Sequence, residues 1–218
     1  MYYTKYHDGF LLSSEIKDIL FLDSSANQSK LKYEAQYNLI IRSEKRYDYG
    51  SDTIIWHEKE NTDLLFQLDG DSDVMEYITL GIPRAMEEII EKSMPRILNS
   101  YQNHPEFGIF AAYLSKFDEY IGWFQFELDN EINDAIEIGW RLKKEFWGNG
   151  YATEIAIVLA EKGMVMGKTI VARTMKENKA SIRVMEKAGL SFEKEFWGDY
   201  EPHSGTPDVL YIKNPLFK

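Results

Sequence analysis

The stretch Trp147-Gly148-Asn149-Gly150-Tyr151-Ala152-Thr153 constrains this chain more than any other, because two glycines flank one residue where a strand-like run gives way to an apolar helix. Glycine takes positive φ at no steric cost, so a turn with two such residues can aim successive backbone N–H groups into one concavity. A helix starting directly behind the turn adds the positive end of its dipole. The predicted feature is a corner that cradles a diphosphate; a short glycine pattern alone also permits a corner with no ligand. Two other glycine loops are excluded. A Walker loop needs Gly-Lys-Ser/Thr after a four-residue gap, and a dinucleotide fingerprint needs a third glycine at position 153, which is Thr here.

Behind the corner, a helical segment is predicted over Ala152 to Met166, with a stop at Gly167 and a β-rich run Thr169 to Thr174. Then comes Asn178-Lys179-Ala180-Ser181-Ile182-Arg183-Val184-Met185-Glu186-Lys187-Ala188-Gly189-Leu190, in which Asn178 suits an N-cap and Gly189 a C′ position. Upstream, Phe107 to Leu114, Glu119 to Leu128 and Asp134 to Leu142 read as three antiparallel strands, with a turn at Leu128-Asp129-Asn130-Glu131. Thr53 to His57 reads as a further strand, and Thr62 or Asn61 can cap a helix through Leu68. A helix over Arg84 to Tyr101 places Met86, Ile89, Ile90, Ile97 and Leu98 on one face, with a kink at Pro95. Strand, helix pair, three strands, helix, strand, helix, strands is an α+β order.

The pairing of W-G-N-G-Y-A-T with N-x-x-S-I-R-V-M-E-K-x-G-L resembles the GNAT superfamily of acyl-CoA-dependent N-acyltransferases, in particular the branch of ribosomal-protein N-terminal (RimJ/RimL-like) acetyltransferases. Leu68-Asp69 with Asp73 to Ile78 resembles that branch's first helical pair, Ile136 to Leu142 its central strand, and Pro207 to Tyr211 its last strand. The likeness covers about residues 54 to 213. It implies a mixed, mostly antiparallel central sheet flanked by helices and splayed between its fourth and fifth strands, with acyl-CoA in the cleft beside the strand Ile136 to Leu142. The family's first phosphate-loop position is usually Gln or Arg, whereas Glu145 stands here.

Composition narrows the function classes. At 218 residues, 44% apolar and 14% aromatic, the chain is sized for one buried domain. Residues 1 to 50, which hold 7 of the 14 tyrosines, are expected to be an extension packed on a GNAT domain over 51–218; a separate accessory module is the alternative. No apolar run approaches the about 20 residues of a membrane span, and Met1 to Asp8 does not have the pattern of a secretory signal. Cysteine is absent, which removes disulfides, thiolate catalysis and cysteine zinc sites, and makes a reducing cytoplasm the expected location. His7, His57, His104 and His203 are scattered, so no metal is expected. A net charge of −11 disfavours nucleic acid. The acids serve solubility or attract a cationic amine. A monomer or homodimer is expected.

The resemblance assigns roles residue by residue. The amides of Gly148, Asn149, Gly150, Tyr151 and Ala152, the Thr153 hydroxyl and neighbouring Trp147 are expected to hold the diphosphate of acetyl-CoA, the acyl donor, with Trp140 and Leu142 offering backbone groups to its pantetheine arm. Asn178 and Ser181 fall where the family contacts pantetheine and sulfur, and Arg183, Lys187, Lys143 and Lys144 are candidates for the CoA phosphates. Ser181 is the expected hydroxyl for the leaving thiolate; the alternative for Asn178 and Ser181 as bare residues is that they only start a helix. An amine of pKa about 10.4 is mostly ammonium at neutral pH, so a proton acceptor is needed. Glu137, two residues before Gly139 on the same strand face, is the candidate; an ion-paired carboxylate or a water relay is the alternative. The expected function is acetyl transfer to a primary amine, either a protein N-terminus or a small amine. A polyamine or aminoglycoside-like acceptor, or a non-catalytic acyl-CoA-binding module, are the rivals.

Overall fold

The computed structural model describes residues 3–6, 9–12, 39–42, 62–103, 107–114, 119–198 and 205–215, and for 3–6, 9–12, 39–42 and 101–103 the backbone alone. Tyr3–Tyr6 (β1) and Gly9–Leu12 (β2) form an antiparallel two-stranded sheet. The main sheet has seven strands, Leu39–Arg42 (β3), Gly108–Leu114 (β4), Glu119–Leu128 (β5), Ala135–Leu142 (β6), Thr169–Met175 (β7), Ser191–Phe196 (β8) and Asp208–Lys213 (β9), in the order β3-β4-β5-β6-β7-β9-β8. The helices are Thr62–Asp69 (α1), a stretch over Met86–Glu88, Ile89–Ser93 and Met94–Asn103 (α2), Tyr151–Val165 (α3) and Lys179–Lys187 (α4).

Every neighbouring pair in the main sheet is antiparallel except β6 and β7. Those two run parallel and match over only Ala135↔Thr169, Ile136↔Ile170 and Glu137↔Val171. Past Glu137 and Val171 each strand keeps its other neighbour, β6 pairing β5 as far as Leu142 and β7 pairing β9 as far as Met175. The sheet therefore opens into a V between the expected strands. Because β6 and β7 are parallel, whatever follows their C-terminal ends flanks the mouth of the V.

Alternation along the strands assigns the layers. Phe124, Phe126, Ile136, Ile138 and Ile170 are fully buried. They face α3, whose Lys162 lies 5.0 Å over the Phe126 ring. Gly163 lets α3 sit directly on the paired part of β6 and β7: a Cβ there would lie 2.2 Å from Ile170 Cδ1 and 3.3 Å from Ile136 Cδ1. The opposite face carries Gln125, Glu127, Glu137 and Arg141, and meets Asp69 of α1 and Arg96 of α2.

α1, α3, α4 and the strands of β4 to β7 fall within a residue or two of expectation. Two readings differ. Ile90 is exposed rather than on the buried face of α2, because Ile89–Ser93 is a π-turn that advances the register so that Met94 and Ile97 follow Ile89 into the core. Pro95, which cannot donate a backbone N–H, sits just after this widened turn. Asp73 to Ile78 is a succession of turns rather than a second helix. The expected strand Thr53 to His57 lies outside the described residues, as do all four histidines.

Candidate active site

The backbone of the corner takes the expected form of a glycine turn opening a helix. Gly148 and Gly150 have φ of +77° and +88°, values that side-chain-bearing residues rarely adopt, and a Cβ at either would meet nothing within 4 Å, so both face open space. Gly150 caps α3, and the first helical bond runs from Glu154 N–H to Gly150 O at 3.0 Å. The N–H groups of Tyr151, Ala152 and Thr153 are thus left without intrahelical acceptors, and point out of the positive end of a 15-residue helix. Trp147 braces the corner through its indole N–H, which donates to Leu142 O at 2.8 Å. Asn149 Nδ2 donates to Trp147 O at 3.2 Å.

Lys143 N–H donates to Ile121 O on β5. By strand alternation, the peptide groups of Trp140 and Leu142 turn the other way, toward the side that β7 has left. The Leu142 carbonyl is already taken by Trp147, so of the groups expected to face pantetheine it is the one that is engaged. Two expected phosphate cations are also engaged elsewhere: Lys144 pairs with Asp73, and Lys143 lies 5.2 Å over the Tyr120 ring. Arg183 and Lys187 are exposed on α4.

Across the V, Asn178 Oδ1 accepts the Ser181 N–H at 3.1 Å, the N-cap expected from the sequence. This uses the Asn178 carbonyl oxygen and leaves the half-buried Ser181 hydroxyl without a hydrogen-bond partner among the described residues. Beside it, Glu177 accepts from the Thr206 hydroxyl. Tyr77, from the loop between α1 and α2, has its hydroxyl pKa raised by partial burial, by neighbouring Glu76 and, least, by Glu177.

Glu137 stands at the base of the V, on the last matched pair. It accepts from Gln125 Nε2 at 3.1 Å and pairs with Arg173 at 3.1 Å, and Arg173 also holds Asp129 and Glu131. Burial pushes the Glu137 pKa up, and Arg173 opposes the push without cancelling it. A second cluster lies farther along the same face. The carboxylate of Asp69, 1% exposed, bonds Arg84 at 2.9 Å and also Arg141, whose guanidinium lies 4.9 Å over Trp123. Sequence reasoning missed Asp69, Arg84 and Arg173, since pairs 15, 36 and 72 residues apart leave no trace in local spacing.

Residues 54–191 match the family described as the acetyltransferase (GNAT) domain. The chain belongs to the GNAT acetyltransferase family. A protein from Aspergillus fumigatus named FsC-acetyl coenzyme A-N(2)-transacetylase is 27% identical over 65% of this chain, which spans 63% of that protein's length. An N-acetyltransferase of Bacillus licheniformis, p20, is 29% identical over 71% of this chain and 86% of its own. Among solved folds, a GNAT-family acetyltransferase from Bacillus anthracis superposes with a TM-score of 0.62 at 24% identity, covering 82% of this chain and 95% of the other. RimL, described as a ribosomal L7/L12 α-N-protein acetyltransferase in complex with coenzyme A, gives 0.62 at 18% identity over 82% and 94%. The GNAT fold accounts for the V and for the corner at its mouth.

Proposed function

We propose that the chain transfers an acetyl group from acetyl-CoA to a primary amine by direct attack on the thioester within the V. The observation that carries this reading is the placement, past the C-terminal ends of the parallel strands β6 and β7, of a glycine corner with three helix amides on one arm and the Ser181 hydroxyl on the other, all without a hydrogen-bond partner among the described residues. The amides of residues 148 to 152 and the Thr153 hydroxyl hold the diphosphate. The peptide groups of Trp140 and the N–H of Leu142 line the pantetheine arm, so the thioester reaches the neighbourhood of Glu137 and Ser181. The resting ammonium first gives one proton to Glu137 directly or through water, the freed lone pair forms the C–N bond, the C–S bond breaks with its electrons passing to sulfur, and the second proton on nitrogen passes through water to the departing thiolate. Ser181 stabilises the departing thiolate by hydrogen bonding. The relatives' names include a protein N-terminal and a spermidine N-acetyltransferase. For this chain, acidic Asp73, Glu76 and Glu177 beside the mouth and the net charge of −11 support an acceptor that is cationic at rest. The cysteine-free composition supports a cytoplasmic location.

Ser181→Ala should lower kcat about 10- to 100-fold while leaving the CoA dissociation constant within about threefold, because a hydroxyl assisting a leaving group acts in the transition state. An unchanged kcat, with chemistry rate-limiting, removes Ser181 from that role.

A base must be ionised, so the acid limb of kcat/KM should lie above the ordinary glutamate range. The charged groups around Glu137 are Arg173 from β7, Glu127 from β5 and Asp129 in the turn that follows it. Arg173→Gln removes the cation that, among the described residues, favours the carboxylate, so the limb should move up further. Glu137→Gln should abolish the limb along with most activity. A limb unmoved by Arg173→Gln, or full activity in Glu137→Gln, contradicts the assignment.

A further inference from the structure

Fourteen residues, from Gly70 to Pro83, separate Asp69 at the end of α1 from Arg84 before α2. The ends of this loop are tied together twice by the same two residues: Arg84 N–H donates to Asp69 O at 2.8 Å, and the Arg84 guanidinium donates to the Asp69 carboxylate at 2.9 Å. The carboxylate's other oxygen accepts from Arg141 of β6, between Trp140 and Leu142. Asp73 adds a second tether, to Lys144 in the turn that precedes the glycine corner.

Inside the loop, Val74 and Met75 are buried, and Met75 O gathers the amides of Ile78, Thr79 and Gly81 at 3.0, 3.0 and 3.1 Å. The chain then passes through two left-handed residues, Leu80 at φ +56° and Gly81 at +77°. Leucine costs energy there, and such a conformation persists only where its surroundings fix it. The result is a preformed loop that presents Leu80, 39% exposed, and Ile82, 59% exposed.

We propose that Asp69 is the positioning residue of the acceptor side: it closes the 70–83 loop through Arg84 and pins it to β6 through Arg141, so that acceptor capture depends on it and donor binding does not. This rests on the proposed acetyl transfer to an amine, and adds that the amine enters from the α1/α2 face of the V, where Asp73 and Glu76 lie. A loop held in its binding conformation spares the acceptor the entropy of ordering it, so loosening the clamp raises the acceptor KM. The exposed apolar tip beside acidic groups fits an ammonium carried on an apolar body.

The test compares the full-length wild type with Asp69→Asn, Arg84→Met and Arg84→Lys. Amide hydrogen exchange is expected to accelerate about tenfold or more at Ile78, Thr79 and Gly81 in Asp69→Asn and Arg84→Met, the scale set by a lost charge-assisted hydrogen bond, with β6 and α3 unchanged. CoA affinity by calorimetry should stay within about threefold. With spermidine and a serine-initiated peptide as acceptors, KM for whichever is used should rise about tenfold with little change in kcat, and Arg84→Lys should restore part of it. If Asp69→Asn does not fold, the Arg84 pair carries the comparison, since Arg84 is partly exposed and lies outside the Arg141 contact. Uniformly faster exchange, an unchanged loop, or equal losses in acceptor and donor affinity would overturn the proposal. Absence of acetyl transfer to any amine by the wild type would instead overturn the functional reading, while the exchange and calorimetry results would still judge the clamp.

Discussion

Gly150→Trp should leave the fold intact and weaken CoA binding by a hundredfold or more, about 2.7 kcal/mol. The expectation follows from two facts about the same residue. Beyond its chain neighbours, a Cβ at Gly150 meets no atom of the described residues within 4 Å, so the new side chain has room in the folded protein and destabilises it mainly through the left-handed φ of +88°, a cost of about 1 to 2 kcal/mol. That open space is also the concavity in front of the Tyr151, Ala152 and Thr153 amides, so the indole occupies the place assigned to the diphosphate. Calorimetry with CoA, alongside circular dichroism, separates the two effects. A folded Gly150→Trp that binds CoA as tightly as the wild type would contradict the cradle.

The opposite kind of glycine is Gly122, and Gly122→Ala should cost about 3 kcal/mol or more of stability, lowering Tm by about 10 °C. A Cβ there would lie 2.1 Å from Arg141 O and 2.8 Å from Leu142 Cα, on a residue at φ +152°. Both obstacles are backbone of β6, held in register with β5, and neither can rotate away. Gly163→Ala is the control. Its nearest obstacle, at 2.2 Å, is the terminal methyl of Ile170, which can repack, so the cost should be about 1 to 3 kcal/mol. Equal melting temperatures for wild type and Gly122→Ala would show that β5 and β6 do not approach as described.

The readable parts of the sequence were those where local chemistry decides the structure. Asn178 and Gly189 mark the ends of α4 because capping is a property of single residues, and β4, β5 and β6 follow from apolar runs broken by turn residues. The glycine corner is legible for the same reason. The π-turn in α2 is not, since helical periodicity assumes one residue spacing throughout and Ile89–Ser93 departs from it. The position of β9 between β7 and β8 is likewise a matter of long-range pairing. At the site, the face of β6 marks out Glu137, yet Arg173, which shapes its charge environment, comes from another strand and is invisible to spacing. Lys143 and Lys144 looked like phosphate cations because their basic charge is local information, while their engagement by Tyr120 and Asp73 is tertiary.

Acyl transfer itself is tested most directly by incubating the full-length protein with acetyl-CoA and a panel of amines, namely spermidine, an aminoglycoside and serine-initiated peptides, while following free thiol and the mass of each acceptor. Thiol release that requires both protein and a primary amine, matched by acetylation of that amine and lost together with CoA binding in Gly150→Trp, is the predicted result. Tight CoA binding with no amine-dependent thiol release across the panel would contradict catalysis and leave a protein that only binds acyl-CoA.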